Sequence, residues 1–274
     1  IDMDGTRIAN GKTVGGVLLN NALSDTSDVQ VNYCIIHDIM NSKITEVTAS
    51  SVYGLVVEGG ALKAKNNIMY DITNVTAHAS SVTAGISITE AGVTHYVYNN
   101  TLYDIKSLVS TNYARGIMQV AGTVYSINNA VFDIISTNGA EACFYGTFEA
   151  GSTTNVSSDT SATTAVGLSV GVGSQTLYST YFESINNNYE DLHITDRSNT
   201  LWGSFGTDVD SDTSFIVADD IESESRNLTA PDIGADEFRA VYVRRPTAVY
   251  YSIGTTTTDL KSGSPNLTIT NGVA

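Results

Sequence analysis

The chain is short of charge, and above all of positive charge. Only 15% of its 274 residues are charged, with 13 Lys and Arg against 29 Asp and Glu and a formal net charge of −16. That balance excludes nucleic acid and anionic membrane as partners, because counterion release on phosphate needs a basic face. It suits divalent cations and a saline exterior. No apolar run approaches the length of a membrane span, and no 3.6-residue period is sustained long enough for a helix. The familiar marks of catalysis are missing as well: no Ser or Cys nucleophile signature, no phosphate-cradling Gly loop, and no zinc-ligand spacing among four scattered His.

What the chain has is a repeat. Asn66-Asn67-Ile68-Met69-Tyr70-Asp71-Ile72 returns as Asn99-Asn100-Thr101-Leu102-Tyr103-Asp104-Ile105 and as Asn128-Asn129-Ala130-Val131-Phe132-Asp133-Ile134. A degenerate copy, Tyr33-Cys34-Ile35-Ile36-His37-Asp38-Ile39, keeps the end and loses the Asn pair. The period of about 30 residues falls in the range of solenoids. A second phrase keeps step, opening at Gly16, Gly54, Gly85 and Gly116. Each unit is therefore a set of short β-type segments too thin to bury its own apolar side, which stacking on a neighbour would bury.

The expected fold is all-β, a right-handed parallel β-helix. Equivalent residues of successive coils then lie about 4.8 Å apart. Asn at a corner tolerates the left-handed backbone, and stacked amides can bond from coil to coil. The rings of His37, Tyr70, Tyr103 and Phe132 are expected to stack. The interior is filled either by Ile35, Ile68, Thr101 and Ala130 or by Ile36, Met69, Leu102 and Val131, depending on register. Cys34 and Cys143 would sit about 19 Å apart, outside bridging range, as small buried hydrophobes.

These phrases resemble the parallel β-helix proteins of the pectate-lyase-like superfamily. A later stretch, Asp219-Asp220-Ile221-Glu222-Ser223-Glu224-Ser225-Arg226 followed by Pro231-Asp232-Ile233-Gly234-Ala235-Asp236-Glu237-Phe238, resembles the closing segment of large bacterial surface β-helix proteins, with Glu222 and Ser223 where that pattern has Asp and Gly. The resemblance covers about residues 1 to 238. It implies coils over 1–198, with Asn186 to Ile194 as the last of them, and an acidic cap over 199–238 that includes Arg226, Asp232, Asp236 and Glu237. Residues 239–274 read as a linker and the start of a further β module, with strands around Val241–Val243, Val249–Ile253 and Leu267–Ile269 and with Thr255–Thr258 between them. Such a tail could add a strand to a neighbouring subunit.

The chemistry-bearing candidates are few. The repeated Asp38, Asp71, Asp104 and Asp133 form a row that is expected at coil corners, as solvated turn residues. Asp208, Asp210 and Asp212 alternate like the opening of a calcium loop, but the Gly and distal Glu of an EF-hand are missing, so they read as an Asp-rich turn, with calcium as the alternative and the one candidate cofactor. Lys63, Lys65 and Arg115 are the basic residues near the middle coils, and no paired carboxylate cluster accompanies them. Sequons occur at Asn74, Asn99, Asn155, Asn227 and Asn266. Inserts after each Asp-Ile recur at one phase of the repeat and project from one side; they read as neutral loop drift, with a binding face as the alternative.

The chain opens at Ile1 rather than Met, which reads as a processed product or a fragment. The function expected is a non-catalytic structural or adhesive module, extracellular or on a cell surface, that self-associates or packs on neighbouring modules of one filament or layer. The alternative is a carbohydrate-binding or polysaccharide-cleaving β-helix.

Overall fold

The computed structural model describes residues 3–4, 14–19, 28–41, 50–75, 80–109, 112–187, 189–195, 205–238, 250–253 and 256–259. Residues 1–238 form one compact unit, and 239–274 form a second. In chain order the first unit runs β1 (Met3–Asp4), β2 (Val14–Leu19), β3 (Asp28–Asn32), β4 (Ile35–Asn41), β5 (Val52–Val57), β6 (Ala61–Lys65), β7 (Ile68–Asn74), β8 (Val82–Ile88), β9 (Thr94–Tyr98) and β10 (Thr101–Ser107). It continues with β11 (Tyr113–Gln119), β12 (Thr123–Ile127), β13 (Ala130–Ser136), β14 (Glu141–Tyr145), β15 (Val156–Ser157), α1 (Ser161–Thr164), a 3-10 turn at Tyr178–Thr180, β16 (Phe182–Ser184) and β17 (Asp191–Ile194).

Strands three apart in sequence pair in parallel, which makes the unit a β-solenoid. The Asp-bearing sheet runs β1-β4-β7-β10-β13-β15, the Gly-bearing sheet β2-β5-β8-β11-β14, and the Tyr-bearing sheet β3-β6-β9-β12. In the first, Ile36 pairs with Met69, Met69 with Leu102, and Leu102 with Val131. All four are fully buried in the axial core, which settles the register in favour of that column. The alternative column faces outward, and its members Ile68 and Ala130 pack in a second cluster with Phe182, Leu192 and Ile233.

The two Asn of each pair have different tasks. Asn66, Asn99 and Asn128 take the left-handed backbone, with φ of 53°, 52° and 55°, at the corner between the Tyr-bearing and Asp-bearing sheets; Asn reaches that region at little cost. The second Asn points inward and builds a ladder. Asn67 Nδ2 donates to Asn100 Oδ1 at 2.8 Å, Asn100 Nδ2 to Asn129 Oδ1 at 2.9 Å, and Asn129 Nδ2 to Asn155 Oδ1 at 3.0 Å. The same oxygens accept the backbone N–H groups of Asn67, Asn100 and Asn129. All four amides are buried, so each rung satisfies groups that would be costly to leave alone.

The Gly column has a packing cause. A Cβ on Gly85 would lie 2.3 Å from Leu102 Cδ2 and 2.7 Å from Ile105 Cδ1; one on Gly54 would lie 2.8 Å from Ile72 Cδ1. The Asp-bearing sheet drives its branched side chains into space that only glycine leaves on the sheet opposite.

Some expectations hold and others are corrected. Residues 152–164, within the range 1–198 assigned to coils, do continue the solenoid although they are nearly all Ser, Thr, Asn and Asp: Thr154 takes φ 52° at the corner, Asn155 supplies the last rung, and β15 pairs with β13. The short α1 then places Ala162 in the axial core. A Cβ on Gly171 would meet the Ala162 carbonyl oxygen at 2.0 Å, so α1 occupies the space a further rung would need. Residues 186–194 are not a coil, because β16 and β17 pair antiparallel. Ser169 and Val172 add isolated parallel bridges to Thr153 and Val156. His37 and Tyr70 stack at 4.9 Å as expected, whereas Tyr178 inserts its ring against Phe132 at 5.1 Å and Tyr103 at 6.1 Å. Both cysteines are free; Cys143 is buried and Cys34 only half-buried.

In the second unit, β18 (Tyr250–Ile253) pairs antiparallel with β19 (Thr256–Asp259). The stretch expected between strands is thus largely a strand itself; Val241–Val243 and Leu267–Ile269 lie outside the described residues. Among the described residues no helix is long and apolar enough to cross a membrane.

Two substitutions test this packing. Gly85→Ala is expected to cost about 2 kcal/mol through overpacking, and Asn100→Ala about 3 kcal/mol by stranding buried donors on Asn67. Denaturant melts read both, and midpoints equal to the parent's would refute the arrangement.

Candidate functional site

The segment read as an end cap runs along the side of the solenoid. Residues 205–238 cross the left-handed corner column from one coil to the next, and they do so through its polar groups. Asn128 Nδ2 donates to the Thr207 carbonyl at 2.7 Å, and Thr207 N–H returns a bond to Asn128 Oδ1 at 2.9 Å. Thr154 Oγ1 lies 3.1 Å from Thr207 Oγ1. Further up, Asn66 Nδ2 donates to the Asp219 carbonyl at 2.8 Å and Tyr33 OH to the Asp219 carboxylate at 2.6 Å. On the way back, Gly234 N–H donates to the Asn128 carbonyl and Ala235 N–H to Thr101 Oγ1, both at 2.8 Å. Gly234 has φ 109°, and a Cβ there would press on Thr101 Oγ1 at 2.7 Å. The first Asn of each pair is therefore the receptor for this strap.

Arg226 is its anchor. The guanidinium is buried and donates to the carbonyls of Asp219, Asp232, Gly234 and Ala235 and to Asn66 Oδ1, all between 2.8 and 3.1 Å. Its charge partner is the buried Glu237, at 3.5 Å. Burial lowers the Arg226 pKa, with Glu237 and neighbouring carboxylates opposing. Glu237 also accepts the N–H groups of Asn227 and Asp232, and Asp232 accepts that of Phe238. The four cap residues singled out in the sequence thus share one buried network or, in the case of Asp236, the cluster beside it.

That cluster joins the strap to the β16–β17 hairpin. Carboxyl oxygens of Asp220, Glu222 and Asp236 lie within 4.8 Å of one another. Asp236 Oδ2 accepts the Ile194 N–H at 2.6 Å. His193 bonds Asp191 through Nδ1 and Glu222 through Nε2, and the bond to Glu222 pushes its pKa up to about 9.

The calcium-loop residues sit elsewhere on the strap and form turns. Asp208 Oδ1 accepts the Asp210 N–H at 2.9 Å and Asp212 Oδ1 accepts the Ser214 N–H at 2.8 Å, as Asx turns do. Asp212 also accepts Tyr98 OH at 3.1 Å. Nothing in the sequence pattern signals the convergence at Glu222, since its partners are 29 residues away at His193 and across the hairpin.

The Asp row is not at the corners. Asp38, Asp71, Asp104 and Asp133 lie inside the strands of the Asp-bearing sheet, each with φ between 52° and 55°, and the pairing passes over them, from Tyr103–Phe132 to Ile105–Ile134. Each is a kink in its strand. Nor is the row freely solvated. Burial, a hydrogen bond to Asp38 and the Asp104 charge push Asp71 up to about 6; burial and Asp104 raise Asp133. Asp104 itself pairs with Lys106, two residues on in the same strand, at 2.6 Å. The other cations among the described residues of the middle coils are also engaged. Lys63 pairs with Asp28 at 2.6 Å, Lys65 reaches the Ile216 carbonyl at 3.1 Å, and Arg115 lies between the rings of Tyr113 and Tyr145.

Beside the strap, an open groove of about 450 Å³ is lined by Asp28, Lys63, Thr94, Tyr96, Thr213 and Ser214 among others. Asn74, Asn99 and Asn155 are fully buried, which removes three of the sequons as glycosylation sites in the folded chain. Asn227 folds onto the N–H of Thr229 at 3.0 Å, and Asn266 lies outside the described residues. No family model, no curated protein and no solved structure matches the chain.

Arg226→Met strands Glu237 and the carbonyls, and is expected to cost about 3 kcal/mol and to open residues 205–238 to protease before the solenoid strands; unchanged protease resistance would refute the anchor. Asp71 carries a folded pKa above its unfolded value, so its contribution is full below pH 4 and is lost as the pH rises through 6. Asp71→Asn is therefore expected to raise the melting temperature at pH 8 by about 2 °C, from relief of about 1 kcal/mol of repulsion, and to give no gain near pH 4. Equal gains at both values would contradict the assignment.

Proposed function

We propose that the chain is a structural or adhesive module without catalysis, part of an extracellular or cell-surface protein related to the pectate-lyase-like β-helix proteins of the large bacterial surface type. The observation that carries this reading is where the polar groups go. The Asn pairs, Arg226, Glu237 and the described lysines Lys63, Lys65 and Lys106 bond to the chain's own backbone and side chains, which favours a stiff scaffold over a reaction centre. Self-association, or contact with neighbouring modules of the same protein, is the partner proposed. The β18–β19 hairpin has the antiparallel form on which strand addition by a neighbour would build.

A polysaccharide ligand is the second reading, favoured by the groove beside Tyr96. Its carboxylate, ammonium and hydroxyl groups offer both acceptors and donors to a polyhydroxyl chain.

Immunogold electron microscopy of the native material at its source, paired with assays for unsaturated and reducing-end products on polygalacturonate and neutral polysaccharides, separates the two. Label on surface filaments or layers with no product is expected. Label confined to the cell interior, or turnover of any of these substrates, would overturn the proposal.

A further inference from the structure

We infer that the strap is held to the β16–β17 hairpin by a proton-operated clasp, in which Asp236 and His193 must both be protonated for the contact to close. The geometry favours those protons. His193 directs one ring nitrogen at Asp191 and the other at Glu222; two ionised carboxylates only accept, so a ring bonded to both donates from both nitrogens as an imidazolium. Carboxyl oxygens of Asp220, Glu222 and Asp236 lie within 4.8 Å of one another, and carboxyl groups this close hold a shared charge best when one of them carries a proton. Of Glu222 and Asp236, Asp236 is the buried one, at 7% exposure.

The surroundings bias the protons the same way. On the strap, Asp220, Glu222 and Glu224 face the cluster, while Arg226 is turned toward Glu237 and the carbonyls. On the hairpin, Glu190 and Asp191 add negative charge, and from the solenoid Asp38, Asp71 and the Tyr70 ring lie toward them. Burial, with Glu222 and Asp220 behind it, pushes Asp236 up to about 7. The bond to Glu222 outweighs burial and, with Asp191, pushes His193 up to about 9. Burial would raise Glu222, but the bond and charge of His193 outweigh it and leave it lowered.

Both raised groups act in one direction. Asp236 stabilises the contact fully below about pH 4 and loses that contribution as the pH climbs through 7; His193 does so fully below about 6.5 and loses it through 9. The Glu222 contribution is constant over that window, since its lowered pKa lies below it. Raising the pH from 6 to 9 therefore removes nearly all of the Asp236 proton and about half of the His193 proton, and leaves the carboxylates facing one another with less compensating charge. Because Ile194 N–H bonds Asp236 across the same contact, the hairpin edge and the returning arm of the strap are expected to part together.

Hydrogen exchange of the whole chain at pH 6 and pH 9, normalised to intrinsic rates, tests this. Protection in peptides spanning 189–195 and 219–237 is expected to fall by at least about tenfold, while β8 to β13 hold theirs. Asp236→Asn, which keeps an acceptor for Ile194 and a donor for Glu222 at every pH, is expected to flatten the lower half of the profile, and His193→Gln the upper half. Protection in 189–195 and 219–237 that is the same at both pH values, or an Asp236→Asn chain with the full parental pH dependence, would overturn the clasp. Where a variant loses the protection of β8 to β13, the C2 proton of His193 in the parent decides: a midpoint near 9 supports it, and one near 6.5 overturns it.

Discussion

The structure depends on a buried amide having two donors and one acceptor. In the ladder Asn67–Asn100–Asn129–Asn155, each rung's oxygen takes both the backbone N–H and the side-chain N–H of the coil before it, and the remaining donor returns to a carbonyl such as that of Val31, Ala64 or Val97. Few other side chains could satisfy a fully buried corner in this way. Asp lacks the donors, and an apolar residue strands the groups above it. The ladder therefore fixes the coil register, and with it everything that is placed on a coil.

One consequence is the division of labour within each Asn pair. The second Asn faces inward and bonds its neighbours; the first turns the corner in the left-handed region and leaves its amide free to receive the strap. The strap's contacts are repeated because the corners are repeated, and its anchor Arg226 reaches Asn66 as one more acceptor in that column. A surface segment with little regular structure of its own is thereby held by a periodic row of polar groups, and by Phe215, Val209 and Val217 against Tyr98 and Ile127.

Much of this was legible in the sequence because it is periodic. The Asn pair, the Gly column and the interior alternation each recur, and recurrence identifies a coil. What was not legible is what occurs once. Asn155 was hidden because its partner at the corner is Thr154 rather than Asn, although a polar corner followed by Asn and a strand residue, 26 positions after Asn129, was the available signal. The path of residues 205–238 was misread because acidic composition suggests a solvated cap at an end, whereas the direction of a strap is set by contacts such as Tyr33 with Asp219 that span 186 positions. The cluster around Asp236 escaped for the same reason: His193 reads as an isolated imidazole until the hairpin folds against Glu222.

The coil register requires the ladder to be buried and bonded in solution. Exchange of the side-chain amide protons of Asn67, Asn100 and Asn129, resolved by ¹⁵N correlation spectra in deuterated water, measures this directly. Protection comparable to that of the backbone amides of β7, β10 and β13 is the predicted result. Exchange as fast as that of a solvent-exposed asparagine would contradict it, and with it the register on which the strap and its clasp are built.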